Sequence, residues 1–184
     1  MLEVDTRLME EEAIRKSVKN PEAFKSLYEA YFKKIFLFVF HRVGDKETTA
    51  DITQQVFLNA LSNISRYQFR GLPFSSWLFR IAVNQCNDYF RKNKKMRMVV
   101  LEDPHIRGLY DDLTAEQSWD EWERKLPGVL EQLDDDDLQL IELRYFEQRP
   151  FKEVSEILGI TESNTKVRTY RILERMKKIF LQQK

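Results

Sequence analysis

The helical spacing of its apolar residues is the feature that most limits what this 184-residue chain can fold into. Segments starting near residues 20, 45, 74, 127 and 151 repeat apolar residues every three or four positions, and none alternates with the period of two expected of a strand. The chain holds only five glycines and five prolines, so few tight turns are available. The sequence therefore predicts an all-α fold.

Local signals predict where several helices begin and end. Asn20 before Pro21 is typical of an N-cap followed by the first helical residue, Gly44 of a C-cap, and Asp45 of the next N-cap. Later in the chain, Pro127 predicts another helix start, and the run 134–137 of four aspartates predicts an N-cap with acids at the positive end of a helix dipole. The segment before Asn20 predicts a further amphipathic helix, with its apolar positions at Leu8, Ile14 and Val18.

Composition along the chain predicts two small helical domains joined by a flexible acidic linker. Residues 96–123 lack a sustained apolar period and contain Pro104 and Gly108, which is typical of a linker. We therefore expect a helical N-terminal extension over 1–20, domains over 21–95 and 124–184, and the linker over 96–123.

Charges are sorted along the chain although the formal net charge is zero. Residues 61–98 hold eight basic residues and one acidic residue, and residues 164–184 hold seven and one. Residues 99–123 reverse this balance, with one basic and eight acidic residues. Because contact with phosphate is local, two separate basic blocks favour nucleic-acid binding. The alternative is that each block is simply a solvated helix face.

The chemistry-bearing residues form no catalytic or metal-binding pattern. The single cysteine, Cys86, excludes a disulfide framework and a cysteine zinc site, and His41 and His105 lie in different segments. No phosphate-cradling glycine loop is present. We expect a chain that is not an enzyme and that carries no metal and no cofactor. Since no apolar run approaches 18 residues, we also expect no membrane insertion and a cytoplasmic location.

The segment from Phe151 to Phe180 has the parts of a helix-turn-helix. A short apolar-faced helix is followed by Gly159, which permits a left-handed turn, and by Thr161, which can cap a second helix. That second helix turns Ile172 and Met176 inward and presents basic residues outward, as a helix that enters the major groove does. A plain helical hairpin with a basic rim is the alternative interpretation.

Aromatic and basic residues are interleaved between Ser65 and Lys95, a pattern suited to stacking bases and following a single-strand backbone. Phe74, Trp77 and Ile81 share a helix face, so we assign them to the core. Candidate contacts to nucleic acid in this segment are Arg66, Tyr67, Phe69, Arg70, Asn84, Asp88, Arg91 and Lys92. An upstream segment, 50–57, is amphipathic, and an ordinary surface helix explains it fully.

Three motifs, in this order and at this separation, carry a resemblance: DITQQVFLNAL, FRGLPFSSWLFRIAVNQCNDYFRK and LRYFEQRPFKEVSEILGITESNTKVRTYRILERMKK. Over residues 21–95 and 124–181 the chain resembles an extracytoplasmic-function (group 4) sigma factor of bacterial RNA polymerase. The resemblance implies sigma domain 2 in the first half and sigma domain 4, with its helix-turn-helix, in the second. It also implies as partners core RNA polymerase and promoter DNA, both as a duplex and as a melted strand, and an anti-sigma factor as a further possible partner.

The resemblance assigns roles to residues of the first domain. Asp51, Gln54, Gln55 and Leu61 match the contact with the clamp helices of the largest polymerase subunit, although Gln55 stands where the family often has an acid. The loop 65–74 and the helix bearing Asn84 and Asp88 match the part that reads the melted minus-ten element and accepts a flipped base.

In the second domain the last helix matches the reader of the minus-thirty-five element. The resemblance places Lys166, Tyr170 and Arg171 on base-contacting positions and Arg168 on a phosphate contact. The full set of candidate residues is Lys166, Val167, Arg168, Tyr170, Arg171 and Arg175. The chain departs from the family pattern at Pro150, which replaces a serine N-cap, and at Thr165 and Thr169, which replace apolar residues.

These observations favour a sigma factor that directs promoter recognition, promoter melting and transcription initiation. A stand-alone helix-turn-helix regulator and a purely helical adaptor are the alternatives. The aromatic and basic loop favours the sigma factor, because a regulator that binds only duplex DNA has no use for a single-strand pocket.

Overall fold

The structure, a computed structural model, describes residues 2–69, 71–93, 103–113 and 118–182, with side chains from residue 8 in the first helix and from residue 106 in the fifth. Every regular element in these ranges is helical, as the apolar spacing predicted. The chain divides into two compact units, Met1–Val100 and Leu101–Lys184.

Unit 1 is a bundle of helices around an aromatic-rich core. Its elements are α1 (Leu2–Lys19), a short 3-10 helix (Pro21–Phe24), α2 (Lys25–Val43), α3 (Lys46–Asn63), a second 3-10 turn (Ile64–Arg66) and α4 (Phe74–Asn93). Helices α2, α3 and α4 pack against one another. Their shared core holds buried side chains such as Phe38, Val56, Phe57, Phe74, Leu78 and Phe79.

The predicted caps of unit 1 are confirmed. The Asn20 side chain accepts a hydrogen bond from the backbone N–H of Glu22, and that of Asp45 accepts one from Thr48 at 2.8 Å. Gly44 ends α2 in the left-handed conformation, with φ of 73°. The predicted apolar face of α1 is only partly right, because Ile14 is buried while Leu8 and Val18 are exposed.

Unit 2 consists of α5 (Asp103–Leu113), α6 (Trp119–Leu130), α7 (Asp135–Ile141), α8 (Phe151–Leu158) and α9 (Glu162–Gln182). Trp122 is fully buried and stacks on Phe180, so α6 is packed against the end of α9. After α7 the chain winds through a wider π-helical turn, Glu142–Phe146, which buries Leu143 and Tyr145. No pattern in the sequence predicted this turn.

The prediction of a flexible linker over 96–123 is wrong for the part that the structure describes. Ile106, Leu109 and Leu113 repeat at helical spacing and are buried, which gives α5 an apolar stripe that packs within unit 2. Pro104 lies in the first turn of α5, where a missing backbone N–H costs nothing. Asp111 and Asp112 lie on the exposed side of the same helix. The segment is therefore acidic in composition, as a linker often is, although its other side is buried.

The predicted helix start at Pro127 is also wrong. Helix α6 begins at Trp119, and Pro127 lies inside it. Trp122 and Leu126, both fully buried, extend the apolar face upstream of the proline and hold the earlier turns in the core. The second compact unit therefore begins well before residue 124.

Helix α5 is joined to the π-helical turn by a hydrogen bond. The Tyr145 hydroxyl donates to Asp112 Oδ2 at 2.7 Å, and the Tyr145 side chain is buried. Burial, followed by this hydrogen bond and the negative charge of Asp112, raises the pKa of the Tyr145 hydroxyl well above its usual range. Folding therefore holds the tyrosine proton more tightly than the unfolded chain does.

We expect this tyrosine to make unit 2 sensitive to alkaline pH. Its contribution to stability is fully present below about pH 10, the ordinary tyrosine pKa, and is lost as the pH rises above that value. Urea denaturation at intervals from about pH 8 to about pH 11 should therefore show a steeper fall in unfolding free energy for wild type than for Tyr145→Phe. The matched control is Tyr28→Phe in unit 1, and equal slopes for wild type and Tyr145→Phe would contradict the prediction.

Candidate nucleic-acid interface

The predicted turn between α8 and α9 is present. Gly159 adopts the left-handed conformation with φ of 70°, and the backbone N–H of Ile160 returns to the Ser155 carbonyl at 3.0 Å. Thr161 then caps α9, because its hydroxyl oxygen accepts from the Asn164 N–H at 3.2 Å. Pro150, at the start of α8, makes no side-chain cap. The result is a short helix, a tight turn and a long second helix.

Two threonines line the inner face of α9 without leaving a polar group unpaired. Thr165 and Thr169 are buried, and their hydroxyls donate to the backbone carbonyls of Thr161 at 3.0 Å and Thr165 at 2.8 Å. Their methyl groups remain available for packing, so the departure from an apolar pattern is accommodated within α9 itself. Ile172 and Met176 continue the buried face, as predicted, and Phe180 extends it.

The outer face of α9 carries all six predicted residues of this helix. Val167 and Tyr170 are 47% and 63% exposed, so the middle of the helix offers apolar and aromatic surface to a ligand. Lys166 forms an exposed pair with Glu162 at 2.7 Å, which is weak in water. Arg171 is exposed and, within the described ranges, has no acidic partner within 4.0 Å.

Arg168 and Arg175 differ from Arg171 because both reach the start of α7. Arg168 lies 2.9 Å from one carboxylate oxygen of Asp137, and Arg175 lies 2.8 Å from the other. Asp134 caps α7 as predicted, accepting from the Asp137 backbone N–H at 2.9 Å. The acidic run therefore does more than cap a helix.

In unit 1, four aromatic rings join the loop after α3 to the start of α4. Tyr67 contacts Phe69, Phe74 and Trp77, with ring centroids 5.0 to 5.2 Å apart. Phe74 is buried, whereas Phe69 is 41% exposed, so the cluster runs from the core to the surface. Arg66 is exposed beside it, and the predicted contact Arg70 lies outside the described residues.

A stripe along α4 continues from this cluster. Trp77, Ile81, Asn84, Asp88 and Arg91 follow one another at intervals of three or four residues, which places them on one side of the helix. Asn84 is exposed, and Asp88 accepts a hydrogen bond from Arg91 at 2.7 Å. Lys92 is also exposed, next to this stripe.

The assignment of Trp77 and Ile81 to the core is only partly right, because both are partly exposed. Trp77 connects the loop to the polar stripe and was missed as a candidate contact. Counting helical spacing back from Asn84 to Trp77 would have found it.

Helix α1 fixes the position of this loop. One Glu10 carboxylate oxygen accepts from the Tyr31 hydroxyl, and the other accepts from the Phe74 backbone N–H at 3.3 Å. Phe74 is the first residue of α4, so Glu10 satisfies a backbone donor that the helix itself leaves unpaired. The N-terminal segment thereby holds α2 and α4 in register with the aromatic cluster.

The predicted polymerase-contact residues lie on the outer face of α3. Asp51, Gln54 and Gln55 are exposed and Leu61 is partly exposed, whereas the opposite face of α3 is buried. Leu58, which was missed, is 49% exposed and lies one turn beyond Gln54 and Gln55.

In the described ranges, no three His, Cys, Asp or Glu residues lie where they could hold a metal ion together. Cys86, the single cysteine of the sequence, is buried. None of the described helices is both long and apolar enough to cross a membrane.

Two sequence families match the two units. Residues 27–96 match Sigma-70 region 2, and residues 129–178 match Sigma-70, region 4. Together they cover about two thirds of the chain and leave unmatched mainly the segments before α2 and around α5. The chain is an RNA polymerase sigma factor that acts in transcription initiation. A match over both units decides against the stand-alone regulator and the adaptor.

Comparison with individual proteins indicates to which group of sigma factors the chain is similar. The chain is 28% identical over 155 residues to the ECF RNA polymerase sigma factor SigM of Bacillus subtilis, covering 84% of this chain and 93% of that protein. It is 29% identical to SigX of the same organism, covering 85% and 83%, respectively. The chain belongs to the extracytoplasmic-function sigma factors.

Solved structures share the fold. The structure of CnrH in complex with the cytosolic domain of CnrY matches with a TM-score of 0.61 at 17% identity and covers 97% of this chain and 98% of that one. The sigma factor RpoE of Bartonella quintana, solved with the anti-sigma factor NepR, matches with a TM-score of 0.59 at 17% identity, covering 87% and 97%.

We expect Glu10→Ala to loosen the loop without unfolding unit 2. Loss of the two hydrogen bonds to the carboxylate should lower the local opening free energy of α1 and the start of α4 by about 1–3 kcal/mol. Hydrogen–deuterium exchange followed by mass spectrometry should show faster exchange in peptides covering 8–19 and 71–80.

The control is Glu11→Ala, which removes only an ion pair with Arg15 inside α1. If the two variants exchange equally fast in the peptide covering 71–80, Glu10 does not anchor α4.

Proposed function

We propose that the two units divide promoter recognition between them. Unit 1 binds core polymerase through the outer face of α3 and reads the melted minus-ten strand through the loop 65–73 and α4. Unit 2 reads the minus-thirty-five duplex through α9. The observation that carries this proposal is that each unit has an exposed surface of a different kind. That of unit 1 is aromatic and basic, and that of unit 2 is formed by a helix-turn-helix.

For the minus-ten element, the aromatic cluster offers surfaces on which unpaired bases stack. Tyr67, Phe69 and Trp77 supply partly exposed rings within 5.0 to 5.2 Å of the next ring. Asn84 and Asp88 offer hydrogen-bonding groups to base edges farther along α4, while Arg66, Arg91 and Lys92 supply positive charge for the backbone. Arg70 belongs to the same proposal by its sequence position.

For the minus-thirty-five element, exposed side chains near the start and middle of α9 suit base readout. Lys166, Val167, Tyr170 and Arg171 offer donors, an apolar contact and a ring to the major groove. Arg168 and Arg175 would contact phosphates, since they lie to one side of these residues.

For core polymerase, the outer face of α3 combines Asp51, Gln54 and Gln55 with the exposed Leu58 and the partly exposed Leu61. An apolar centre with a polar rim suits a helix-on-helix contact with the clamp helices. The chain itself would catalyse no reaction, because phosphodiester formation belongs to the polymerase, and it would act in the cytoplasm, where the polymerase works.

We also propose an anti-sigma factor as a regulatory partner. Support comes from the Bartonella quintana relative of the same fold, which was solved with one. Such a partner would compete with core polymerase for the chain, and size-exclusion chromatography of the three components together would reveal exclusive complexes.

The test of the function as a whole is run-off transcription with core polymerase from the same organism. Initiation at defined positions should require both core and this chain. A chain that never co-purifies with core and yet shifts duplex DNA alone would contradict the division of labour proposed here.

We expect Arg171→Ala to cost about 1–3 kcal/mol of discrimination between a promoter and a mismatched duplex, because an unpaired exposed arginine is free to contact a guanine edge. Competition run-off assays measure the ratio of the two templates. Lys178→Ala, which removes one positive charge two turns later on α9, is the control and should preserve that ratio.

We expect Asp51→Ala/Gln54→Ala to weaken binding to core polymerase, because both side chains lie on the exposed face of α3 and neither supports the core of unit 1. Binding of labelled chain to core, with circular dichroism to monitor the fold, measures this effect. Glu29→Ala, an exposed acid on α2, is the control. If the double variant binds core normally, another surface makes the contact.

A further inference from the structure

The arginines of α9 are not equally available to DNA. Asp137, in the first turn of α7, binds Arg168 through one carboxylate oxygen at 2.9 Å and Arg175 through the other at 2.8 Å. The two arginines are seven residues, or two turns, apart on the same side of α9. One carboxylate therefore occupies both guanidinium groups.

This carboxylate is largely buried, and its position is fixed by the fold. The Asp137 side chain is only 13% exposed, and those of Arg168 and Arg175 are 32% and 44% exposed. The Asp137 backbone N–H is held by the Asp134 side chain at 2.9 Å, which fixes the first turn of α7. Partly buried pairs are screened less by salt than surface pairs are, so they hold more firmly.

The geometry resembles that of a bound phosphate. A phosphate group offers guanidinium groups two or more anionic oxygens, and Asp137 offers Arg168 and Arg175 one oxygen each. A DNA phosphate that binds either arginine must displace, or share, the carboxylate. The same competition does not apply to Arg171, which has no acidic partner within 4.0 Å among the described residues.

We propose that Asp137 is an internal competitor of phosphate that suppresses binding of α9 to random DNA and so raises the promoter specificity of unit 2. This inference rests on the proposed role of α9 as the duplex reader. On random DNA, opening the two ion pairs gains only phosphate contacts, so the exchange is close to balanced. At a promoter, base contacts from Arg171 and its neighbours add binding free energy. This favours the bound state, in which phosphates replace the Asp137 carboxylate.

The acidic run supplies a matched control for the test. Asp136 lies beside Asp137 in the first turn of α7, is exposed, and makes no ion pair with α9. Asp137→Asn and Asp136→Asn change the net charge by the same amount, and only the first removes the ion pairs of Asp137 with Arg168 and Arg175. Arg175 then keeps only its longer, exposed contact with Asp134 at 3.9 Å, which is weak in water. Any difference between them therefore reports the ion pairs and not the overall charge.

The experiment measures binding of the full chain to a labelled random-sequence duplex over a series of salt concentrations. Asp137→Asn should bind on the order of tenfold more tightly than Asp136→Asn at low salt. Its log–log salt slope should be steeper by roughly 1.8, which corresponds to two additional phosphate contacts. Discrimination between a promoter mapped by run-off transcription and the random duplex should fall accordingly.

A second variant removes the released arginines. In Asp137→Asn/Arg168→Gln/Arg175→Gln, the gain in affinity for the random duplex should vanish, because no freed guanidinium remains. This variant also leaves no partly buried arginine without its acidic partner. It can therefore be used for the test if Asp137→Asn alone does not fold. It should then bind the random duplex within about twofold of wild type, since the wild-type arginines are already occupied and make few phosphate contacts.

Two results would overturn the inference. One is equal random-duplex affinity for Asp137→Asn and Asp136→Asn. The other is loss of promoter binding in Asp137→Asn with no change on random DNA, which would make the ion pairs a support that seats α9. Failure of the proposed function looks different: Arg171→Ala would then leave promoter discrimination unchanged in every background.

Discussion

Burial of one apolar stripe per helix is the constraint on which the rest of this structure depends. Each unit is small, so a helix can turn only one side inward and must leave the other in water. In α9 the inner side is taken by Thr165, Thr169, Ile172, Met176 and Phe180. The cations of that helix consequently share the outer side, where DNA can reach them. Function is thus carried by the faces that packing does not use.

Much of the fold follows from local sequence signals, and the errors have physical causes. The caps at Asn20, Asp45 and Gly159 could be predicted because each depends on a few adjacent residues. Helix α5 was missed because its apolar stripe has only Ile106, Leu109 and Leu113, too few to outweigh a strongly acidic composition. The π-helical turn after Ile141 has no signature in the sequence, since it depends on what α7 and α8 pack against.

Some residues of the candidate site could likewise be predicted from the sequence, and others could not. Exposure of Arg171 and Tyr170 could be predicted from helical spacing within α9. Trp77 lies at helical spacing from Asn84 and could have been found in the same way. Leu58 became a candidate contact only with the structure, because the sequence does not tell whether an apolar residue on a helix is buried or exposed. Contacts between distant residues were beyond prediction, and the bonds of Asp137 to Arg168 and Arg175 span 31 and 38 positions of sequence.

The tryptophans give each unit its own optical signal. Trp77 is partly exposed beside Tyr67 in unit 1, whereas Trp122 is sealed in unit 2 and stacked on Phe180. An indole in contact with water emits at longer wavelength than a buried one, and a stacked base quenches it. Trp119 of unit 2 is also partly exposed and lies against Trp122, so its replacement by phenylalanine would leave the red-edge emission to Trp77 and the blue-edge emission to Trp122. In such a chain the first signal would follow the proposed single-strand binding at unit 1, and the second would follow the integrity of unit 2.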